Sequence, residues 1–269
     1  MAPPCALDPP RGGSACCSAV ASPHLVLDIE TILDPELPIA QSGDVERLPA
    51  PPHHQIVAIG ALWIDQHGTP RKLGLVGEQR SLEAEILEDF ASLLEERRPT
   101  LVTYNGRGFD LPVIAMRCLR HGVALPHYYR ARDVRYRFST EGHFDLMDFI
   151  ADFGATKVSK LDIVAKLCGM PGKVGVDGKD VGPLVHAGRI EEVQNYCLCD
   201  VVQTAGVFYR VQLLRGELTR DEYLRSAGQL LEMIHTDPRL GPVSAAVDSS
   251  RFLLEERSTD TSSEDQGSR

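Results

Sequence analysis

Four acidic residues and a tyrosine, spread over three distant segments, carry the clearest chemical signal in this 269-residue chain. The first segment, Leu25-Val-Leu-Asp-Ile-Glu-Thr31, starts as an apolar strand and runs into Asp28 and Glu30. Side chains alternate faces along a strand, so the two carboxylates point to one side, roughly 6.5–7 Å apart along the backbone, while Ile29 points to the other. Like charges held together at the end of a buried strand repel each other and lose hydration. A hard divalent cation, Mg²⁺ or Mn²⁺, removes both penalties by taking carboxylate oxygens. Standing alone, D-x-E also describes a strand end that meets solvent.

The second segment, Asn105-Gly-Arg-Gly-Phe-Asp110, reads as a glycine-rich turn between a strand ending at Tyr104 and a helix from Leu111 to His121. Pro112 falls in the first turn of that helix, where a missing N–H does no harm. Asp110 therefore sits at the head of the helix, beyond the sheet edge. An N-cap role would account for Asp110 but not for Asn105 and Phe109 at their spacing. The third segment, Asn195-Tyr-Cys-Leu-Cys-Asp200, lies on a helix spanning Ile190 to Leu214, where Tyr196 and Asp200 stand one turn apart on the same face. Val193, Cys197, Val201, Thr204, Ala205 and Phe208 turn that region inward. An inward carboxylate needs a partner, and a Tyr–Asp hydrogen bond supplies one without any catalysis.

The elements that must position these groups read as an α/β chain. A strand His24–Leu27 precedes a proline-rich loop over 34–52, long enough to cover a site. Gln55–Ile64 and Arg71–Val76 form a hairpin around Gln66-His-Gly-Thr69. Ser81 opens an amphipathic helix closed by Pro99, and Leu101–Tyr104 is a further strand, so a mixed sheet with packed helices is expected. Ser159-Lys-Leu-Asp162 has the form of a capping box opening a helix to Cys168. The following loop, Gly169–Gly182, carries Lys173 and Lys179 but lacks the GxxxxGK[ST] phosphate-loop pattern. Thr219–Ile234 is the last amphipathic helix. The organisation expected is a disordered leader over 1–23, one domain over 24–242 and a disordered polar tail over 243–269.

Between Pro126 and Phe138 the chain interleaves Arg130, Arg132, Arg135 and Arg137 with Tyr128, Tyr129, Tyr136 and Phe138. That mixture suits single-stranded nucleic acid, with guanidinium on phosphate and rings under bases. A solvated strand edge or an Arg–Asp133 pair explains it equally well. Asp145 and Asp148 follow at helical spacing, with Asp145 either near the metal site or at a helix start.

A net charge of −10 and a pI near 5.4 argue against gripping duplex nucleic acid by overall charge. With 43% hydrophobic residues and no apolar run of membrane length, the chain reads as a globular protein without membrane spans. Seven cysteines, odd in number and without a CxxC pair, indicate reduced thiols in the cytoplasm.

Taken together as LDIET, NGRGFD and YCLCD, the three segments resemble the DxE, NxxxFD and YxxxD motifs of the DEDDy 3′–5′ exonucleases, and in particular stand-alone bacterial proteins related to the proofreading domain of B-family DNA polymerases. The resemblance runs from Leu25 to Arg210. It implies a ribonuclease-H-like fold, a mixed five-stranded sheet with helices on both faces. It also implies two Mg²⁺ or Mn²⁺ ions held by Asp28, Glu30, Asp110 and Asp200, with Tyr196 orienting the attacking water. Thr31, Asn105, Phe109, Arg135 and Lys173 are the expected substrate contacts, Phe109 as a wedge against the terminal base. Single-stranded or frayed DNA 3′ ends are the expected substrate, releasing 5′-mononucleotides. Alternatives are a 3′–5′ exoribonuclease and a non-catalytic nucleic-acid-binding protein. The last fits poorly with an anionic cluster facing phosphates.

Overall fold

In the computed structural model, which describes residues 22–37, 49–78, 82–175 and 178–255, five strands form one mixed sheet in the order β3-β2-β1-β4-β5. β1 (His24–Leu33) is central. It pairs antiparallel with β2 (His54–Ile64), which pairs antiparallel with β3 (Pro70–Leu75). On its other side it pairs parallel with β4 (Thr100–Thr103), and β4 parallel with β5 (His143–Asp145). The β2–β3 turn is fastened by the Asp65 carboxylate, which accepts the N–H groups of His67 and Thr69 at 2.9 and 3.0 Å.

β1 is longer than the four residues expected. It passes through both acids to Leu33, with Asp28 opposite Gly60, Glu30 opposite Ala58, and a register shift between Glu30 and Thr31. Backbone pairing with small partners continues regardless of side-chain charge, because the charged groups leave the ladder on one face. Asp28 and Glu30 are thus mid-strand residues, not a strand end.

The alternation of β1 sorts two cores. Val26 joins Leu62, Ile64, Val102 and Phe144 on one face, under α8 (Ile190–Leu214) and α9 (Arg220–Thr236). Leu25, Leu27 and Ile29 face the other way, toward α1 (Glu83–Arg97) and α2 (Asp110–His121). By the same alternation Asp28 and Glu30 lie on the α8 side. Shorter helices fill the connections: α3 (Pro126–Arg130), α4 (Arg132–Arg135), α5 (Leu146–Ile150), α6 (Leu161–Leu167) and α7 (Val181–His186). Among the described residues no helix is long and apolar enough to cross a membrane. Cys118, Cys168, Cys197 and Cys199 are buried free thiols.

Several local expectations change. The 126–138 segment forms α3 and α4 instead of a strand edge. Ser159 does not cap α6: Lys160 precedes the helix without a side-chain bond, while the Ser159 carbonyl accepts the Tyr104 hydroxyl at 2.7 Å. The capping box is found instead at Thr219 and Glu222, at the head of α9. The tail expected from residue 243 is also corrected. Through residue 255 the chain packs as part of the fold, in α10 (Gly241–Ala246) and α11 (Ser249–Phe252), with Val243 and Phe252 fully buried. Arg210 secures this end by donating to the carbonyls of Arg251 and Phe252, each at 3.0 Å. Helices of four to six residues leave no periodic trace in sequence, so a polar segment of this kind reads as a tail. The 1–21 leader, Ser81, most of the proline-rich loop and the 256–269 tail lie outside the described residues.

Two devices fix the elements that bear the acids. Gly60 lets α8 press against β2: a Cβ there would stand 2.8 Å from Cys197 Sγ and 3.0 Å from Val201 Cγ2. Buried Arg117 on α2 binds Asp34 just past β1 at 2.5 Å and the Glu83 carboxylate at the head of α1 at 2.5 and 2.7 Å. Glu83 also accepts the Ile56 N–H at 2.7 Å, which ties in β2. Gly60→Ala is expected to lower unfolding stability by about 1–3 kcal/mol through overpacking, while Gly74→Ala, whose Cβ would meet nothing within 4 Å, stays near neutral. Arg117→Ala removes the buried guanidinium shared by two buried carboxylates, leaving Asp34 to Arg120 at 3.2 Å and Glu83 to His121 at 2.8 Å, and is expected to cost about 3 kcal/mol. Urea unfolding of the three variants checks both.

Candidate metal centre

The long helix α8 and the central strand deliver three carboxylates to one place. Asp28, Glu30 and Asp200 each offer an oxygen, and these oxygens all lie within 4.8 Å of one another. Asp110 stands beside this triplet. As the first residue of α2 it accepts the Ile29 backbone N–H, and its charge is felt by both Asp28 and Glu30. Tyr196, one turn before Asp200, donates its hydroxyl to the Asp200 carboxylate. The structure therefore brings together all five residues singled out by motif spacing.

Burial and mutual repulsion dominate the electrostatics. Desolvation, then the charges of Asp110, Asp200 and Glu30, hold the Asp28 carboxyl well above its ordinary range. Glu30 is raised likewise, by burial and by Asp200 and Asp110. Burial pushes Asp110 up to about 7 and Asp200 up to about 6, the latter opposed by the Tyr196 hydroxyl and the Lys173 charge. The Tyr196 phenol is raised by burial and by the adjoining carboxylates, so it stays protonated and acts as a donor. The Cys197 thiol is also held up by burial and donates toward the Asp28 carbonyl at 3.4 Å. This donor set suits a hard divalent cation: desolvated carboxylate oxygens that repel one another, beside a thiol too reluctant to ionise to act as a soft ligand.

The expected substrate residues divide. Thr31, at the register shift, bonds its hydroxyl to His54 Nδ1 at 2.9 Å, and the His54 ring meets Phe109 edge-on with centroids 5.0 Å apart. Thr31, His54 and Phe109 thus form one connected group. Asn105 has left-handed backbone (φ 69°), and its carbonyl accepts the N–H groups of Gly108 and Phe109. Lys173 lies on the loop after α6, where its charge reaches Asp200. Arg135 is not among the groups acting on the carboxylates. It stands over the rings of Tyr128 and Tyr129, 5.8 and 5.0 Å from their centroids.

The sequence undervalued Asp145. It caps α5, and it also accepts the backbone N–H groups of Asn105 at 3.0 Å and Arg107 at 2.8 Å. Asp145 is therefore a brace for the turn that carries Asp110. Its spacing to Asp148 announced the helix start, but the bonds to a turn 40 residues away had no local signature.

A mixed sheet of this order, with helices on both faces and an acidic cluster on its central strand, defines an α/β domain of ribonuclease-H-like architecture. The chain belongs to the family described as a predicted 3′–5′ exonuclease related to the exonuclease domain of PolB, whose model matches residues 48–245. The matched span contains Asp110, Tyr196 and Asp200; Asp28 and Glu30 precede it and join the site through the geometry of β1. No curated protein matches the chain.

The carboxyl shifts predict a pH dependence. Groups whose folded pKa lies above the ordinary 3.8 contribute stability that is complete below that value and lost as pH rises through about 6 for Asp200 and about 7 for Asp110. Without divalent ions, the urea midpoint is expected to fall between about pH 5 and about pH 8. Added Mn²⁺ should restore it at the upper end, and Asp28→Asn/Asp200→Asn should remove that gain.

Proposed function

We propose that this protein is a metal-dependent 3′–5′ exonuclease that removes 5′-mononucleotides from single-stranded or frayed DNA ends. The convergence of Asp28, Glu30, Asp110 and Asp200 around one desolvated space carries this reading. Carboxylates alone would repel a phosphodiester, so the cluster is a substrate site only when cations are bound to it. The four carboxylates would hold two divalent cations, Mg²⁺ or Mn²⁺. Such ions lower the pKa of bound water and stabilise the charge that builds on the attacking and leaving oxygens.

The chain's own residues supply position. Tyr196, a neutral phenol whose single O–H is given to Asp200, would orient the nucleophilic water through its hydroxyl oxygen as an acceptor, without serving as its base. Asp110 is pinned by the Ile29 N–H, so the head of α2 keeps a fixed offset from β1. Phe109, backed by His54, presents an apolar surface against which the terminal base can rest. Thr31 acts first through His54 and second as a hydroxyl beside the 3′ end. Lys173 supplies a positive charge next to Asp200, suited to a phosphate oxygen, and Asn105 faces the substrate backbone from a rigid turn. With its buried thiols reduced, the enzyme fits a cytoplasmic setting.

Mn²⁺-dependent trimming of an end-labelled single-stranded oligonucleotide tests the reading. Asp28→Ala and Asp200→Ala are each expected to reduce the rate at least about 10³-fold, whereas Tyr196→Phe lowers kcat about 10- to 100-fold with Mn²⁺ binding retained. Unchanged trimming by either alanine variant rejects the assignment. Matched DNA and RNA oligomers in the same assay decide between a deoxyribonuclease and an exoribonuclease.

A further inference from the structure

The segment between α2 and β5 presents a surface that the exonuclease chemistry does not use. Among the described residues, every exposed phenylalanine or tyrosine belongs to it: Tyr129 at 52%, Tyr136 at 51% and Phe138 at 58% relative exposure. Exposed rings gathered on one segment and rimmed by charge mark an interaction surface, where singly scattered ones would not. Within residues 126–138 four arginines stand against one aspartate, in a chain whose net charge is −10. Among the described residues Arg130, Arg132 and Arg135 form no ion pair with a carboxylate. Arg137 alone is neutralised, by two bonds to Asp148 at 2.7 and 3.1 Å.

The rings are held in place. Tyr136, Phe138 and Phe153 are linked at centroid distances of 5.8 and 5.1 Å, and Phe153 continues through Phe149 at 6.3 Å to buried Phe144 at 5.1 Å. Phe153 reaches this position through two consecutive left-handed non-glycine residues, Asp152 (φ 48°) and Phe153 (φ 53°). Such backbone costs about 1–3 kcal/mol per residue and persists where the surroundings enforce it. The surface is also joined to the proposed site. Arg107, three residues before Asp110, donates from its guanidinium to the Arg135 carbonyl at 3.2 Å and approaches Asp148 at 3.6 Å, while its backbone N–H is held by Asp145.

We propose that Tyr129, Tyr136 and Phe138, with Arg130, Arg132 and Arg135, bind the single-stranded nucleic acid that leads into the carboxylate cluster. This inference deepens the exonuclease reading and rests on it for the direction of the strand. Fixed rings stack on bases of any sequence, and unpaired guanidinium groups take phosphates, a combination suited to a strand that must advance one nucleotide at a time. It also answers a problem set by the net charge: an acidic protein needs a local cationic track to hold a polyanion.

The test is fluorescence anisotropy with full-length protein and labelled dT or rU 20-mers in EDTA, so that binding is read without cleavage. Tyr129→Ser/Tyr136→Ser/Phe138→Ser is expected to weaken Kd at least about 10-fold. Arg130→Gln/Arg132→Gln should reduce the steepness of log K against log salt by about 1.4. Arg71→Gln/Arg225→Gln, the same charge change elsewhere, should do less than half as much, and circular dichroism should show all variants folded. Unchanged affinity and salt slope in both patch variants overturns the proposal and leaves the surface to a protein partner. Patch-dependent binding by a wild-type protein that trims nothing in Mn²⁺ would instead retain this surface and reject the exonuclease reading.

Discussion

Four carboxylates gathered in one place, Glu30 and Asp110 buried and Asp28 and Asp200 half-buried, impose the constraint around which this molecule is built. Each is raised above its ordinary pKa chiefly by burial, and the repulsion of its neighbours adds to this for Asp28 and Glu30. Such an arrangement works against folding unless a cation is taken up, so the scaffold must hold the acids together from several directions at once. β1 secures two of them: it is clamped between β2 and β4 over His24–Val26, and its pairing with β2 continues through Asp28 and Glu30. α8 secures a third by lying close on β2 at Gly60, and the Ile29 N–H secures the fourth.

A second layer of polar groups converts the fold into a positioned site. Arg117 joins the end of β1, the head of α1 and α2 through Asp34 and Glu83. A buried ion cluster of this kind adds little net stability but makes alternative packings costly, since any of them strands a charge. Asp145 does comparable work on the other side of α2, gathering backbone N–H groups from a turn whose glycine-rich sequence has little stiffness of its own. Rigidity in the candidate site therefore comes from tertiary hydrogen bonds to the turn together with the turn's own bonds to the Asn105 carbonyl.

The legibility of these features in sequence followed their range. α8 was readable to its ends, Ile190 and Leu214, because 25 residues of helical period leave little ambiguity. The four acids and Tyr196 were readable because each motif is local and their conjunction is rare. β1 was cut short at Leu27 because charges in a strand look like its termination; the small partners that let it continue, Gly60 and Ala58, lie on another strand. Asp145 and Arg117 do their work across 34 to 83 residues of sequence separation, and Gly60 against a helix far along the chain, where no period or spacing rule operates. Phe252 was missed because a four-residue helix has no pattern to recognise, although its ring is fully buried against Tyr223.

The placement of β1 has a practical corollary for anyone trimming this protein to its family-matched boundaries. A fragment beginning at residue 48 would retain two outer pairs of strands, β2 with β3 and β4 with β5, and nothing to zip them into a single sheet. It would expose the long edge of β2 and the short edge of β4, an invitation to intermolecular strand exchange, and would carry half of its acidic constellation. Supplying the His24–Leu33 segment in trans as a peptide could then serve as a complementation switch, with sheet assembly and completion of the acidic cluster arriving in the same event.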